Sequence, residues 1–170
     1  VLDMASISGE PEAVYTNLKS RLRAYDESGL RVALAPGASF KSFLVHSDDE
    51  AFLATLPEIL QKQVLDQFSL HSILTVEDYF EIIETFIQAY QAHSRIDVWY
   101  GPPGTQWVSD RCLMQIAERA TYWNTGIQIH ALESFYEKLE GIRSYGSSTI
   151  QHLYQLGVLS ERLSIAHGVW

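Results

Sequence analysis

Two strand-like segments near the carboxyl end of the chain each finish on a histidine, and they constrain the fold more than any other feature. The segments are residues 126–130 and 163–167, and their histidines, His130 and His167, are 37 positions apart. A helical pattern lies between them. Strand, helix and strand at this spacing form a βαβ unit with parallel strands. Both histidines should therefore lie at the same edge of one sheet, at the carboxyl ends of neighbouring strands.

The same alternation of helix and strand continues upstream. Periodic apolar positions predict helices over residues 11–27, 57–68, 75–90 and 109–123, and short apolar runs predict strands over 30–35 and 96–100. Residues 1–10 show no period and are interpreted as an irregular lead-in, and residues 134–146 as a polar connection. Alternation of this kind predicts an α/β fold with parallel strands and right-handed crossovers, built as a single domain over residues 1–170.

Charge and cysteine content exclude several classes of function. The net charge is −9 and no basic cluster is visible, so nucleic acid is not expected as a partner. No apolar run approaches the roughly 20 residues of a membrane helix, and no secretory signal is present, so no membrane partner is expected. The single cysteine, Cys112, excludes an internal disulfide and fits a reducing compartment, which predicts a cytoplasmic protein.

The alternation of side chains along a strand predicts where the histidines point. Gln128 and His130 should share one face of their strand. In the last strand Leu163, Ile165 and His167 should share the inward face, with Ser164 and Ala166 under a helix. Glu133 lies three residues after His130. Two imidazoles and a carboxylate at one sheet edge suit a metal site, because neutral imidazole binds zinc and a carboxylate can take a proton from water.

Each of these residues also has a structural interpretation. A single histidine in a strand is usually bonded to a backbone carbonyl, and a loop glutamate is usually solvated. Gln106, Trp107 and Trp99 flank a strand end and are candidates for contact with an aromatic substrate, although core packing is the commoner use of tryptophan. Two further residues are weaker candidates, because His152 lies on a helix and Cys112 has no base to activate it.

The segments that carry these histidines closely resemble the amidohydrolase superfamily. The most specific segments are residues 129–134 (I-H-A-L-E-S), 146–157 and 158–167, and the nearest branch contains triazine hydrolases, guanine deaminases and related adenosyl-compound deaminases. Residues 28–32 resemble that branch's third barrel strand, and residues 101–110 resemble its fourth strand-to-helix loop. The resemblance implies a TIM-type (β/α)8 barrel, of which this chain holds about strands 3 to 6.

The resemblance also implies roles for three residues. His130 matches a metal ligand, Glu133 matches the carboxylate that shuttles a proton from the attacking water to the leaving group, and His167 matches a histidine that contacts the water or the substrate. The implied cofactor is a divalent metal, with zinc expected and iron as the alternative.

Two parts of the family pattern have no match in this chain. The first-strand His-x-His pair and the eighth-strand aspartate are both missing, and one histidine cannot hold a catalytic zinc. The chain, which begins at Val1, is therefore expected to be an internal fragment that is inactive alone. A partial barrel exposes sheet edges and apolar surface, which missing segments or a second copy in a homo-oligomer would have to cover.

The resulting functional hypothesis is a metal-dependent hydrolase in which metal-activated water attacks a C–N bond of a heterocyclic small-molecule substrate, with deamination expected first. Two alternatives stay open. One is hydrolysis with another leaving group, by dechlorination or by opening of a cyclic amide. The other is a non-catalytic α/β module that binds a ligand and whose histidines are structural.

Overall fold

The computed structural model describes residues 1–170 and contains five strands and seven helices. No helix has both the length and the apolar character needed to cross a membrane. In chain order the elements are β1 (Leu2–Asp3), α1 (Pro11–Ser28), β2 (Val32–Leu34), α2 (Asp49–Leu53), α3 (Glu58–Gln67), α4 (Val76–Tyr90), β3 (Ile96–Val98), α5 (Asp110–Tyr122), β4 (Ile127–Ala131), α6 (Phe135–Tyr145), α7 (Thr149–Gln155) and β5 (Leu163–His167).

All strand pairs are parallel, as the alternation predicts. The strands β1, β2 and β3 are neighbours in that order, and β4 pairs with β5. A parallel bridge between Tyr100 and Ile127 joins the two groups, because Tyr100 N–H donates to the Gly126 carbonyl and Gln128 N–H donates to the Tyr100 carbonyl. The strand ends therefore follow one another along a single edge from β1 to β5.

Side-chain caps fix where the helices begin. Thr75 caps α4 in a capping box, in which its hydroxyl accepts from Asp78 N–H and the Asp78 carboxylate accepts from Thr75 N–H. Ser109 caps α5 by accepting from Cys112 N–H. At its other end, α1 stops at Gly29, whose φ of 71° suits glycine. These helix boundaries agree with those that the sequence predicts.

The core lies between the strands and the helices that cover one face of them. It contains 27 buried residues, with α4 and α5 contributing an apolar stripe each, and Ile127 and Ile129 are among its fully buried side chains. The loops after β2 and β3 pack backbone to backbone, because a Cβ on Gly101 would lie 2.2 Å from the Ala35 carbonyl oxygen. Glycine is required at that crossing, which holds the strand ends together.

Two expectations about secondary structure were wrong. Residues 1–10 are not an irregular lead-in, since Leu2 and Asp3 pair with Ala33 and Leu34. A two-residue strand is too short to show a period, so the chain holds five parallel strands rather than four. Residues 135–145 are not a polar connection but helix α6. Most of its apolar side chains are exposed, and only Glu137 and Gly141 are buried, so it lacks the inward apolar stripe by which helices are recognised.

Candidate functional site

The pairing of β4 with β5 brings the predicted histidines together. His130 is in register with Ala166, and Ala131 is in register with His167. The two imidazole rings stack with their centroids 5.3 Å apart and their planes 29° apart. His167 Nε2 lies 3.7 Å from Glu133 Oε1. The structure thus places His130, Glu133 and His167 at the carboxyl ends of adjacent parallel strands, where α/β proteins position ligands and reacting groups.

The face of β5 that lies beside His130 differs from the one predicted. The register sets Leu163 beside Ile127 and Ile165 beside Ile129, on the side that packs against the core. Ser164 and Ala166 therefore share the face of Gln128 and His130, so their predicted place under a helix was wrong. Residues paired across parallel strands point to the same side, whereas the sequence shows only the alternation within each strand.

His167 joins His130 because the backbone leaves the strand geometry at that residue. Strict alternation along β5 would direct the His167 side chain to the core side, with Leu163 and Ile165. Its φ is instead 74°, in the left-handed region that non-glycine residues seldom adopt. Left-handed backbone at a strand end turns the side chain out of the alternating pattern. Strain of this kind is found preferentially at functional sites.

A hydrogen bond sets the protonation pattern of His130. Its Nδ1 lies 3.1 Å from the Pro103 carbonyl oxygen in the loop after β3. A carbonyl oxygen only accepts, so Nδ1 carries the proton and donates it. The lone pair of neutral His130 is then on Nε2, which is the arrangement found when the other ring nitrogen of a metal-binding histidine donates to a backbone carbonyl. His130 also lines a small cavity of about 70 Å³ at the ends of β1, β2 and β3.

Glu133 is positioned by a residue that sequence reasoning missed. Its side chain is 59% exposed, but its backbone N–H donates to Glu137 Oε2 at 2.8 Å. Leu132 N–H donates to Glu137 Oε1 at the same distance, and Leu132 has a φ of 58°. The signal was present in the sequence, because Ser134 and Glu137 form the S-x-x-E pattern that marks the start of a helix. Ser134 does cap α6.

Trp99, Gln106 and His152 make contacts elsewhere in the fold. Trp99 packs against Gly126, which immediately precedes β4 and is thus at the strand end opposite Glu133. Gln106 is buried and lines a separate cavity of about 440 Å³ with residues of the loop after β2 and of α6. His152 is buried between Tyr145, on which it stacks, and Asp110 Oδ1, which lies 3.0 Å from its Nε2. Its role is structural.

Cys112 is not a nucleophile in this structure. The side chain is buried, and its burial raises the pKa of the thiol to about 11. A thiol with that pKa stays protonated near neutral pH, and the thiolate is the reactive form.

The residues present fit part of a metal site. In the neutral form of His130, Nε2 carries the free lone pair, the His167 ring stacks on the His130 ring, and Glu133 lies near His167. No group of three or more His, Cys, Asp and Glu side chains in residues 1–170 is arranged to hold a metal ion. A zinc site in an enzyme needs three or more protein ligands. His130, His167 and Glu133 therefore do not make a complete zinc site by themselves.

Comparison with known proteins gives a consistent family and fold. The model of the amidohydrolase family matches residues 8–170. A 5-methylthioadenosine/S-adenosylhomocysteine deaminase from Pyrococcus abyssi is 26% identical over 158 residues, which is 92% of this chain and 31% of that protein. The deaminase of the same name from Thermodesulfovibrio yellowstonii is 30% identical over 112 residues, covering 66% of this chain and 25% of that protein.

Among solved structures, the atrazine chlorohydrolase from Arthrobacter aurescens TC1 complexed with zinc superposes with a TM-score of 0.72 and 16% identity. The superposition covers 100% of this chain and 34% of that one. The likeness shows the fold, which is part of a TIM-type (β/α)8 barrel. The chain spans about a third or less of the lengths of the proteins that it matches here.

Proposed function

The chain belongs to the amidohydrolase family, and from this premise we propose that the intact protein is a metal-dependent hydrolase that attacks a C–N bond of a heterocyclic substrate with water. Deamination is the favoured reaction. The observation that carries the proposal is the convergence of His130, His167 and Glu133 at one edge of the sheet, with the histidine rings 5.3 Å apart and His167 Nε2 3.7 Å from the Glu133 carboxylate.

His130 is the residue of this chain that would hold the metal, zinc in the first instance and iron as the alternative. Its Nδ1 donates to the Pro103 carbonyl, which fixes the ring and leaves Nε2 to bind the ion. The metal, when bound, supplies Lewis-acid activation of water at neutral pH. The other ligands are expected in the parts of the longer relatives that this chain does not span.

Glu133 is proposed to move the proton. Its side chain is exposed and close to His167, so a carboxylate oxygen is free to face a water molecule at the site. Hydrolytic deamination consumes one water: its oxygen forms the new C–O bond and the C–N bond breaks. One proton of the water passes through Glu133 to the departing amine, which leaves as ammonia, and the other proton remains with the oxo product. His167 would orient the water or the substrate, because its imidazole is close to both Glu133 and His130.

The relatives point to a class of substrate. Both deaminases described above act, by their names, on 5-methylthioadenosine and S-adenosylhomocysteine. We therefore propose a small adenosyl compound as substrate and its 6-oxo analogue and ammonia as products. A halide leaving group or a cyclic amide is the alternative, and it is testable with the same enzyme preparation.

The experiment compares Glu133→Gln with Glu118→Gln in the intact protein, assaying ammonia release from adenosyl compounds together with metal content. Glu118 is an exposed glutamate on α5 and serves as the matched control. Glu133→Gln should lose turnover by roughly 10²-fold or more, as expected for a general acid–base residue, while it retains the metal, and Glu118→Gln should behave as the unaltered protein. Unchanged turnover in Glu133→Gln would reject the role of Glu133. Metal-free protein that binds adenosyl compounds without turnover would favour the non-catalytic module.

A further inference from the structure

Glu137 is a buried carboxylate for which the proposed reaction has no direct use. Glu137 is only 6% exposed, although burial of a charged carboxylate is costly unless it is paired or hydrogen-bonded. Its carboxylate accepts from backbone N–H groups instead of pairing with a cation, with Leu132 N–H on Oε1 and Glu133 N–H on Oε2, both at 2.8 Å. Both carboxylate oxygens therefore accept hydrogen bonds from the backbone that carries the Glu133 side chain.

The position of Glu137 in α6 explains why the charge is tolerated. Ser134 is the N-cap, so Glu137 occupies the third helical position, where the helix dipole favours an anion. Its own N–H donates to the Ser134 hydroxyl at 3.2 Å. In an ordinary capping box the carboxylate would return to the N-cap N–H. Here it reaches past Ser134 to Glu133 and Leu132, which places a charge-assisted pair of hydrogen bonds on the loop itself.

The loop held in this way is strained and is also fixed from its other side. Leu132 has a φ of 58°, a left-handed conformation that a non-glycine residue keeps only when its surroundings impose it. The Ala131 carbonyl accepts from Gly168 N–H at 2.9 Å, and the Leu132 carbonyl accepts from Val169 N–H at 3.1 Å. Backbone N–H groups after β5 thus bind the carbonyl groups of this loop, and the Glu137 carboxylate binds its N–H groups.

We propose that Glu137 is a positioning residue for the reaction, because it holds the strained backbone at Leu132 and Glu133 and so directs the Glu133 carboxylate toward His167. This inference rests on the proposed function, in which Glu133 is the proton shuttle. Glu137 itself does not touch the substrate or the metal. It acts through Glu133 alone, since its contacts to the site pass through the backbone N–H groups of residues 132 and 133.

The test uses Glu137→Gln in the intact protein, with Glu140→Gln as the matched control. The amide of Glu137→Gln keeps one acceptor and turns its NH₂ group toward the second backbone N–H, so one of the two bonds is lost. Glu140 lies one turn further along α6 and pairs with Arg143 instead of the loop. Glu137→Gln should lower kcat by roughly 10- to 100-fold, the effect of a displacement of about 1 Å in a reacting group. KM, metal content and the Glu140→Gln variant should stay near the values of the unaltered protein.

A double-mutant comparison separates positioning from a general structural role. In a Glu133→Gln background, adding Glu137→Gln should change the residual turnover by less than about twofold, because two residues that act through one group are not additive. If Glu137→Gln does not fold, Glu137→Asp, which keeps the charge and reaches only one of the two N–H groups, is measured by the same criteria.

The outcomes are distinct. An unaltered kcat in Glu137→Gln would overturn the inference while leaving the proposed function intact. The same holds if Glu137→Gln lowers kcat equally in the unaltered protein and in the Glu133→Gln background. Full turnover in Glu133→Gln alone would instead overturn the proposed function.

Discussion

Replacing His167 by glycine should give a more stable protein than replacing it by alanine, although both changes remove the imidazole from the site. His167 holds a φ of 74°, and a Cβ in the left-handed region costs about 1–2 kcal/mol. Glycine removes that cost but adds about 0.5–1 kcal/mol of chain entropy to the unfolded state. His167→Ala loses the same imidazole and keeps the Cβ. We therefore expect His167→Gly to exceed His167→Ala in the free energy of unfolding by about 0.5–1 kcal/mol.

The assay is urea denaturation of the intact protein followed by tryptophan fluorescence. Both variants should be impaired in turnover to the same extent, since both lack the imidazole beside Glu133. Ala166→Gly, one residue earlier in β5, is the control, and there glycine should lower the free energy of unfolding by about 0.5–1 kcal/mol. If His167→Gly were no more stable than His167→Ala, the left-handed backbone would not be what turns this side chain into the site.

Two further predictions concern the core around the site. Cys112 should resist alkylation at pH 8 until the protein unfolds, because burial raises the pKa of its thiol from 9.0 to about 11; rapid labelling of native protein would contradict this. Above pH 9 the folded state binds more protons than the unfolded state, so the free energy of unfolding should fall as the pH rises from 9 to 11. Gly101→Ala should destabilise by at least about 3 kcal/mol, since its Cβ would lie 2.2 Å from the Ala35 carbonyl oxygen, and a denaturation midpoint equal to that of the unaltered protein would show that these loops are not in contact.

The sequence predicted that His130 and His167 lie close together, but it did not predict the backbone geometry that brings them together. The parallel strands, the helix boundaries at Thr75 and Ser109, and the closeness of His130 and His167 follow from periodicity, caps and spacing. Alternation alone does not show which residues of β5 face the core, because it allows two equivalent choices. Only the register against Ile127 and Ile129 decides between them. Left-handed backbone at His167 also leaves no pattern in the sequence.

Glu137 shows why a residue that acts through backbone hydrogen bonds is harder to predict than a histidine at a strand end. Its S-x-x-E pattern marks a helix start, but α6 lacks an inward apolar stripe, so the helix itself was missed and the glutamate with it. Strand β1 was missed because two residues show no period. In both cases the contact that defines the element joins residues distant in sequence or runs against the usual pattern.

The central claim is that His130 binds the metal through Nε2, and anomalous X-ray scattering at the zinc edge from crystals of the intact protein tests it most directly. The account predicts a peak about 2.0–2.1 Å from His130 Nε2, the usual zinc–imidazole distance, on the side of the ring opposite the Pro103 carbonyl. A peak bound by other residues, with His130 Nε2 outside coordination distance, would contradict it.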